Sequence, residues 1–557
     1  MANAQFTGWL IRLGSSRLSR IGLVVMLIFN LAYNSSAQTL LPKSSYKYKV
    51  MRQVFDRLTY AFANGRPQPG LEVIAQNRNK QAIIAMYRPG NQPVIQFDEE
   101  VYDLCVKLQK DSLNAIAVLL SHELAHHYEK HDWYFTFGIS QPNTDTSKES
   151  IKQFESAADF YGCFYGELSG YATGRVFPQV LDMLYKQFDL SENLNGYPTK
   201  EERKAIYAEK QKEAIQMVAV FKAGFFLYLV QEFESSAQCF NYLVNKFPSR
   251  EIYNNLAAAK LQQALVLSTG RDILKFAYPV ELDAQSRLVT RNRAVALPFN
   301  EQQYLQLLAD ARKYSEQARE VDPKYVPAYI NLACIYSLQG NQPAAVGIIN
   351  ELSPELITGD AHTVRAIAYF KDNQFSKSQK DFELAQQKGA HMAQYNLELA
   401  NKMNESLTGS MASWIMSWFD ELNKEESSDN PVPVFQEQIG GKKSNVALPT
   451  SAPQIKISRN PNLSVQWNEL NDHWQLGIQN STRNYLVRLT HENYLQPSAG
   501  KVKRGMHYTT LAKNYGKPSY TFSGASGKYW VYTNNKIAFN MDKNGRVNSW
   551  FIYSRTL

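Results

Sequence analysis

From about residue 217 the chain repeats a pattern of paired amphipathic helices, with a period near ~34 residues. One such pair cannot bury its own apolar face, so successive pairs must stack into an array. Taking residue 326 as a repeat start, Tyr329, Leu332, Ala333, Tyr336, Ala345 and Ile349 fall at the spacing of one unit. The next copy supplies Ala366, Tyr369, Phe382 and Ala385, the preceding one Ala311, Ala318 and Pro323, and a first one Gly224, Phe240 and Pro248. Small residues at these points let helices approach closely, and large ones fill the space between neighbours. The stretch from about 270 to 300 breaks the regularity and is left without an assigned element.

These positions resemble the tetratricopeptide signature. The resemblance implies an all-α superhelix over residues 211–404, with partner proteins or peptides held in its concave groove. A chain of 557 residues is too long for a single core, so further domains are required. The sequence predicts a multidomain protein: a signal peptide at 1–37, an α+β domain over 38–210, the repeats, a short helix and linker at 405–454, and a β-rich α+β domain over 455–557.

Three N-terminal arginines, Arg12, Arg17 and Arg20, precede an apolar run from Ile21 to Ala32, and Ser35-Ser36-Ala37 supplies small residues after it. That order predicts secretion with cleavage after Ala37, and hence a periplasmic or envelope-associated protein. The run is shorter than the ~20 residues that span a bilayer. The four cysteines, Cys105, Cys163, Cys239 and Cys334, form no CxxC pair and read as buried thiols. An exported chain could pair two of them, and the spacing selects none.

Charge is uneven. From Gly500 to Leu557 there are ten Lys/Arg against the single acid Asp542, so the C-terminal module holds most of the formal +9. Such a surplus suits an anionic membrane surface or an acidic partner, or is simply a solvated basic face. No nucleic-acid partner is expected. An apolar stripe of Met411, Trp414, Ile415, Trp418, Phe419 and Leu422 caps the repeats or touches a membrane. Gly440-Gly441 and Pro449 and Pro453 read as linker. Beyond 455, Asn484–Leu489, Tyr529–Tyr532 and Lys536–Phe539 alternate as half-buried strands, and Asp542-Lys543-Asn544-Gly545 is a hairpin turn.

The chemistry gathers nearer the N-terminus. His122-Glu123-Leu124-Ala125-His126 follows the apolar Ile116, Val118, Leu119 and Leu120 on a predicted helix from Ser112. Histidines at i and i+4 share a helix face and can hold one Zn²⁺. Glu123 beside them can take a proton from water on the metal and pass it to a leaving amine. A third ligand is required. The metzincin pattern needs a third His at 132, where this chain has Asp132. A second predicted helix from near Lys152 supplies Glu155 instead, with Asp159 one turn on, placed to hydrogen-bond a ligand histidine. His127 and His131 are expected to face solvent. Ahead of these helices, Ala82–Tyr87 and Pro93–Phe97 are strand candidates, the first either an edge strand for extended substrate or a buried one.

HELAHH followed by ExxAD resembles the HtpX-like and BepA-like zinc metallopeptidases, gluzincins related to the CAAX prenyl endopeptidases, over roughly residues 70–210. The resemblance implies a zincin-type fold, zinc on His122, His126 and Glu155, and catalytic Glu123. That family usually continues with a His-Pro and an Arg six residues beyond the His. Here Arg203 stands at the Arg position and Tyr197 replaces the His, so Tyr197 and Arg203 are expected to share the stabilisation of the oxyanion. Arg504-Gly505-Met506, Leu511 and Tyr515-Gly516-Lys517-Pro518 ahead of the last strands resemble the SmpA/OmlA (BamE-like) envelope domain. Taken together, the expectation is a zinc endopeptidase of the bacterial envelope acting on misfolded or stalled proteins, with envelope assembly proteins as possible partners of the repeats. The competing expectation is an envelope scaffold or chaperone whose zinc site cuts rarely or never.

Overall fold

The computed structural model describes residues 39–62, 66–75, 84–130, 135–136, 148–190, 199–246, 248–268, 276–282, 286–287, 300–390, 392–406, 433–459, 462–491, 494–524, 527–542 and 544–556. The expected signal peptide at 1–37, the stripe at 411–422, His131, Asp132 and Tyr197 lie outside them. The chain divides into two compact units. The first comprises residues 1–58, 69–158 and 176–201, and the second 59–68, 159–175 and 202–557.

The first unit opens with helix α1 (Tyr46–Phe62), whose last turn already belongs to the second. A four-stranded sheet follows: β1 (Gly70–Ile74), β2 (Ala85–Arg88), β3 (Val94–Asp98) and, later in the chain, β4 (Phe135–Thr136), in the order β1-β3-β2-β4. Strands β1 and β3 run parallel, while β2 is antiparallel to both its neighbours. Met86 and Tyr87 are therefore paired on both sides. The Ala82–Tyr87 candidate is thus an inner strand there and not an edge, because β4 returns to cover it.

Asp98 ends β3 and caps helix α2 (Glu99–Val106) by accepting the Glu100 N–H at 2.7 Å. Helix α3 (Ser112–Tyr128) is buried continuously from Ala115 to Tyr128. It contains one acid and no Lys or Arg, which is the composition of a helix enclosed on every side. Helices α4 (Lys148–Leu168) and α5 (Thr173–Gln187) each have one part in either unit.

In the second unit α6 (Lys200–Leu229) and α7 (Phe233–Val244) make a first pair. A Cβ on Gly224 would meet the Cys239 Cβ at 2.9 Å, so only glycine allows this approach, and the Ser236 hydroxyl donates to the Gly224 carbonyl there. Helix α8 (Arg250–Leu267) is followed by a small hairpin, β5 (Glu281–Leu282) and β6 (Ser286–Arg287), and then by α9 (Glu301–Val321). Helices α10 (Val326–Leu338), α11 (Gln342–Asn350), α12 (Gly359–Lys371), α13 (Phe375–Gln387) and α14 (Ala393–Ser406) complete the array. The starts at Val326, Gly359 and Ala393 keep the period read from sequence. The unit is a largely helical, repeat-like body with a C-terminal β-sheet.

Folded structure of the C-terminal region begins earlier than the sequence suggested, with a separate small hairpin. Strands β7 (Gln438–Ile439) and β8 (Lys442–Lys443) form a hairpin whose turn is Gly440-Gly441, both at positive φ. Ile439 is fully buried in the C-terminal core, and Glu437 accepts the Tyr515 hydroxyl at 2.5 Å and the Ala499 N–H at 2.9 Å. The expected linker is thus folded structure from residue 433 onward, because its turn glycines were read as flexibility.

The main sheet contains β9 (Gln454–Arg459), β10 (Asn462–Glu469), β11 (His473–Asn480), β12 (Asn484–Thr490), β13 (Tyr520–Gly524), β14 (Gly527–Tyr532), β15 (Ile537–Asp542) and β16 (Val547–Thr556). Its order is β13-β14-β15-β16-β12-β11-β10-β9, with every neighbour antiparallel. Helix α15 (Tyr508–Tyr515) contributes Leu511 and Tyr515 to a core with Phe539 and Trp550. From α6, Phe226 sets its ring edge against Tyr485, Phe551 and Tyr553. All four cysteines are free and buried. Among the described residues no helix is long and apolar enough to cross a membrane.

Candidate metal centre

Helix α3 sets His122 and His126 one turn apart, and their Nε2 atoms lie 3.1 Å from each other. Glu155, from the part of α4 in the same unit, faces both. Its Oε2 is 3.4 Å from His122 Nε2 and its Oε1 is 3.5 Å from His126 Nε2. All three side chains are buried. A tetrahedral ion with bonds of about 2.0–2.1 Å separates its ligand atoms by about 3.3 Å. One ligand atom from each of His122, His126 and Glu155 lies within 4.8 Å of the other two, so the three fit a divalent zinc-type ion. Two neutral imidazoles and one carboxylate are also the donor types that ion takes.

Burial on its own would push the Glu155 carboxyl up, but hydrogen bonds from His122 and His126 and the electrostatic attraction of the two rings outweigh it. The group is held well below the usual carboxylate range. Glu123, on the same helix, is buried, and its Oε2 accepts the main-chain N–H of Tyr87 at 2.8 Å. A strand of the sheet thereby fixes the carboxylate beside the two histidines. Sequence reasoning missed this contact, because a main-chain donor leaves no trace in residue type.

His127 does not face solvent. It is buried, with Nδ1 3.3 Å from the Tyr87 hydroxyl and the two rings edge to face. The absence of any Lys or Arg on α3 was the signal that could have placed it inside.

In the second unit Arg203 of α6 forks onto Asp159 of α4. Nε donates to Oδ2 at 3.2 Å and Nη2 to Oδ1 at 3.0 Å, with both side chains buried. The sequence assigned Asp159 to a ligand imidazole and Arg203 to an oxyanion. The structure brings these two together with each other, one helical turn beyond Glu155 on α4.

No protein-family model and no curated protein sequence matches the chain. Among solved structures it is similar to TTC0263, a thermophilic TPR protein of Thermus thermophilus. The identity is 12%, over 43% of this chain and 94% of that one, with a TM-score of 0.22. It is also similar to a monomeric mutant of IFIT1 with Gppp-AAAA, at 12% identity over 59% of this chain and 63% of that one, with a TM-score of 0.30. At these scores the description of the helical body rests on this chain's own paired helices.

Proposed function

We propose that this chain is a zinc-dependent endopeptidase of the bacterial cell envelope, acting on misfolded or stalled proteins recruited by its helical repeats. The observation that carries the reading is the convergence of ligand atoms of His122, His126 and Glu155 within 4.8 Å of one another, with Glu123 on the helix of the two histidines. Zinc bound there would act as a Lewis acid toward a substrate carbonyl and lower the pKa of water. His122, His126 and Glu155, all buried, would hold the ion.

Glu123 is the general base, taking a proton at the carboxylate and returning it to the leaving amine. The Tyr87 N–H orients that carboxylate through Oε2. Arg203 is a positioning residue: its two hydrogen bonds fix the Asp159 carboxylate. Tyr197 remains proposed as a donor to the oxyanion, and Tyr197→Phe is expected to lower kcat more than it raises KM.

The test is cleavage of an unfolded protein by the wild type and by Glu123→Gln, with zinc content measured in both. Expected is one zinc in each and a loss of cleavage by at least about a hundredfold in the variant. Equal cleavage in both, or none in either with zinc bound, rejects the peptidase. The second of those outcomes favours the other reading, a scaffold or chaperone with a non-cutting zinc site, which Tyr197 in place of the family's histidine supports.

A further inference from the structure

The stretch that interrupts the repeats does not merely join α8 to α9. Phe276 to Leu282 lies along the helices of the array, and two asparagine side chains pair with its main chain. Asn396 of α14 accepts the Ala277 N–H at 2.8 Å and donates to the Ala277 carbonyl at 2.9 Å. Asn331 of α10 does the same to Glu281, accepting from its N–H and donating to its carbonyl, both at 2.8 Å. Asn254 of α8 donates to that carbonyl at 2.8 Å, and its own oxygen accepts from Asn331 at 3.0 Å. All three asparagines are fully buried.

A side-chain amide that matches both the N–H and the C=O of one residue imitates a neighbouring β-strand. It reads extended backbone and is indifferent to the side chain attached to it. Selectivity comes from the residues beside and between the two clamps. Phe276 packs its ring against Phe370 and Phe382, with centroids 5.2 and 6.5 Å away. The Tyr278 hydroxyl is 3.0 Å from the Ser337 hydroxyl, and the Lys371 ammonium lies over its ring. Pro279 centres a tight turn in which the Val280 N–H reaches back to the Tyr278 carbonyl, and Val280 is fully buried.

Joining paired helices does not require this path. Elsewhere in the array Leu338 is followed by α11 at Gln342, and Lys371 by α13 at Phe375. A permanent core would also be filled more cheaply by apolar groups than by three amides, each of which costs about 1–3 kcal/mol if left unpaired.

We propose that Phe276–Leu282 is a displaceable occupant of a peptide-binding groove. An extended segment of another protein, with the same aromatic–small–aromatic–proline order, takes its place on Asn254, Asn331 and Asn396. The proposal deepens the recruitment part of the proposed function and rests on no zinc chemistry. Its readout is binding, so its failure leaves the peptidase reading untouched, and failure of the peptidase leaves it standing.

The test uses the full chain and a fluorescent peptide of sequence Phe-Ala-Tyr-Pro-Val-Glu-Leu, with affinity followed by anisotropy. The intact chain is expected to bind weakly, since its groove is filled. Phe276→Ala with Tyr278→Ala loosens the internal segment and should tighten apparent binding by at least about tenfold, because the open fraction of molecules rises. Adding Asn331→Ala should cancel that gain. A loosened variant with unchanged circular dichroism and no gain in affinity overturns the proposal. Should the variant unfold, hydrogen exchange on the wild type decides. Amides of Ala277 and Glu281 that exchange at least about tenfold faster than those of α10 support displacement, and exchange in step with α10 overturns it.

Discussion

Helix α4 carries two buried glutamates whose chemistry runs in opposite directions. Glu155, in the first unit, is held well below the usual carboxylate range by His122 and His126 in spite of its burial. Glu167, in the second, is pushed well above that range by burial first and by the nearby Glu469 second. The Gly174 N–H, Lys222 and Arg175 pull it back only in part. Both positions are equally dry, so burial alone does not separate a site from a core. The facing groups do: two imidazoles turn a carboxylate toward a cation, and a second acid makes it keep its proton. Asp159 stands between the two as a third case, ionically paired to Arg203.

The largest effect is expected at that third acid. Arg203→Met leaves the buried Asp159 without its fork and should cost about 3–5 kcal/mol, read as a fall in the urea or thermal midpoint. A change below about 1 kcal/mol on that scale would show that the pair is not buried as described. Next comes Glu155→Gln, which removes the charge that closes the candidate centre. Zinc affinity should drop by more than about a hundredfold, beyond the loss typical of groups that only support ligands. Retention of a full equivalent of zinc after dialysis against a weak chelator would break the contrast with Glu167.

How legible these features were in the sequence follows the same division. The apolar run before His122 and the i, i+4 histidines fix α3, and a glutamate on a second helix was the natural third partner. Each of those signals lies within a few residues of chain. The Asp159–Arg203 fork joins residues 44 apart in sequence, and the Asn396–Ala277 clamp joins residues 119 apart. No periodicity records such pairings. Within the 270–300 stretch, Ala277 and Glu281 pair with asparagines far away in the chain, which no local pattern announces. The hairpin at Gly440-Gly441 was read as a tether, since paired glycines serve both a tight turn and a loose linker. Only the burial of Ile439 distinguishes them.

A smaller effect separates the acids of the second unit by pH. Burial raises Glu469 to about 7, with Lys222 and Arg175 opposing. The folded chain therefore holds a proton that the unfolded chain releases near the ordinary value of 4.5. Its contribution to stability is complete below that value and is lost as pH rises toward 7. Glu469→Gln cannot ionise. Thermal midpoints of the variant relative to wild type should rise between pH 5 and pH 8, and a flat difference would show that Glu469 ionises normally.

The smallest effect is the sharpest test of the comparison. Burial and Glu469 push the Glu167 carboxyl well above the usual range, so Glu167→Gln is expected to replace a neutral acid by a neutral amide of the same shape. The amide oxygen can still accept the Gly174 N–H, now 3.1 Å from Oε1. Stability at neutral pH should change by less than about 1 kcal/mol, the scale of one neutral hydrogen bond. The same substitution at Glu155 is expected to weaken metal binding at the candidate centre. Two identical changes on one helix thus separate the acid that must be charged from the acid that must not.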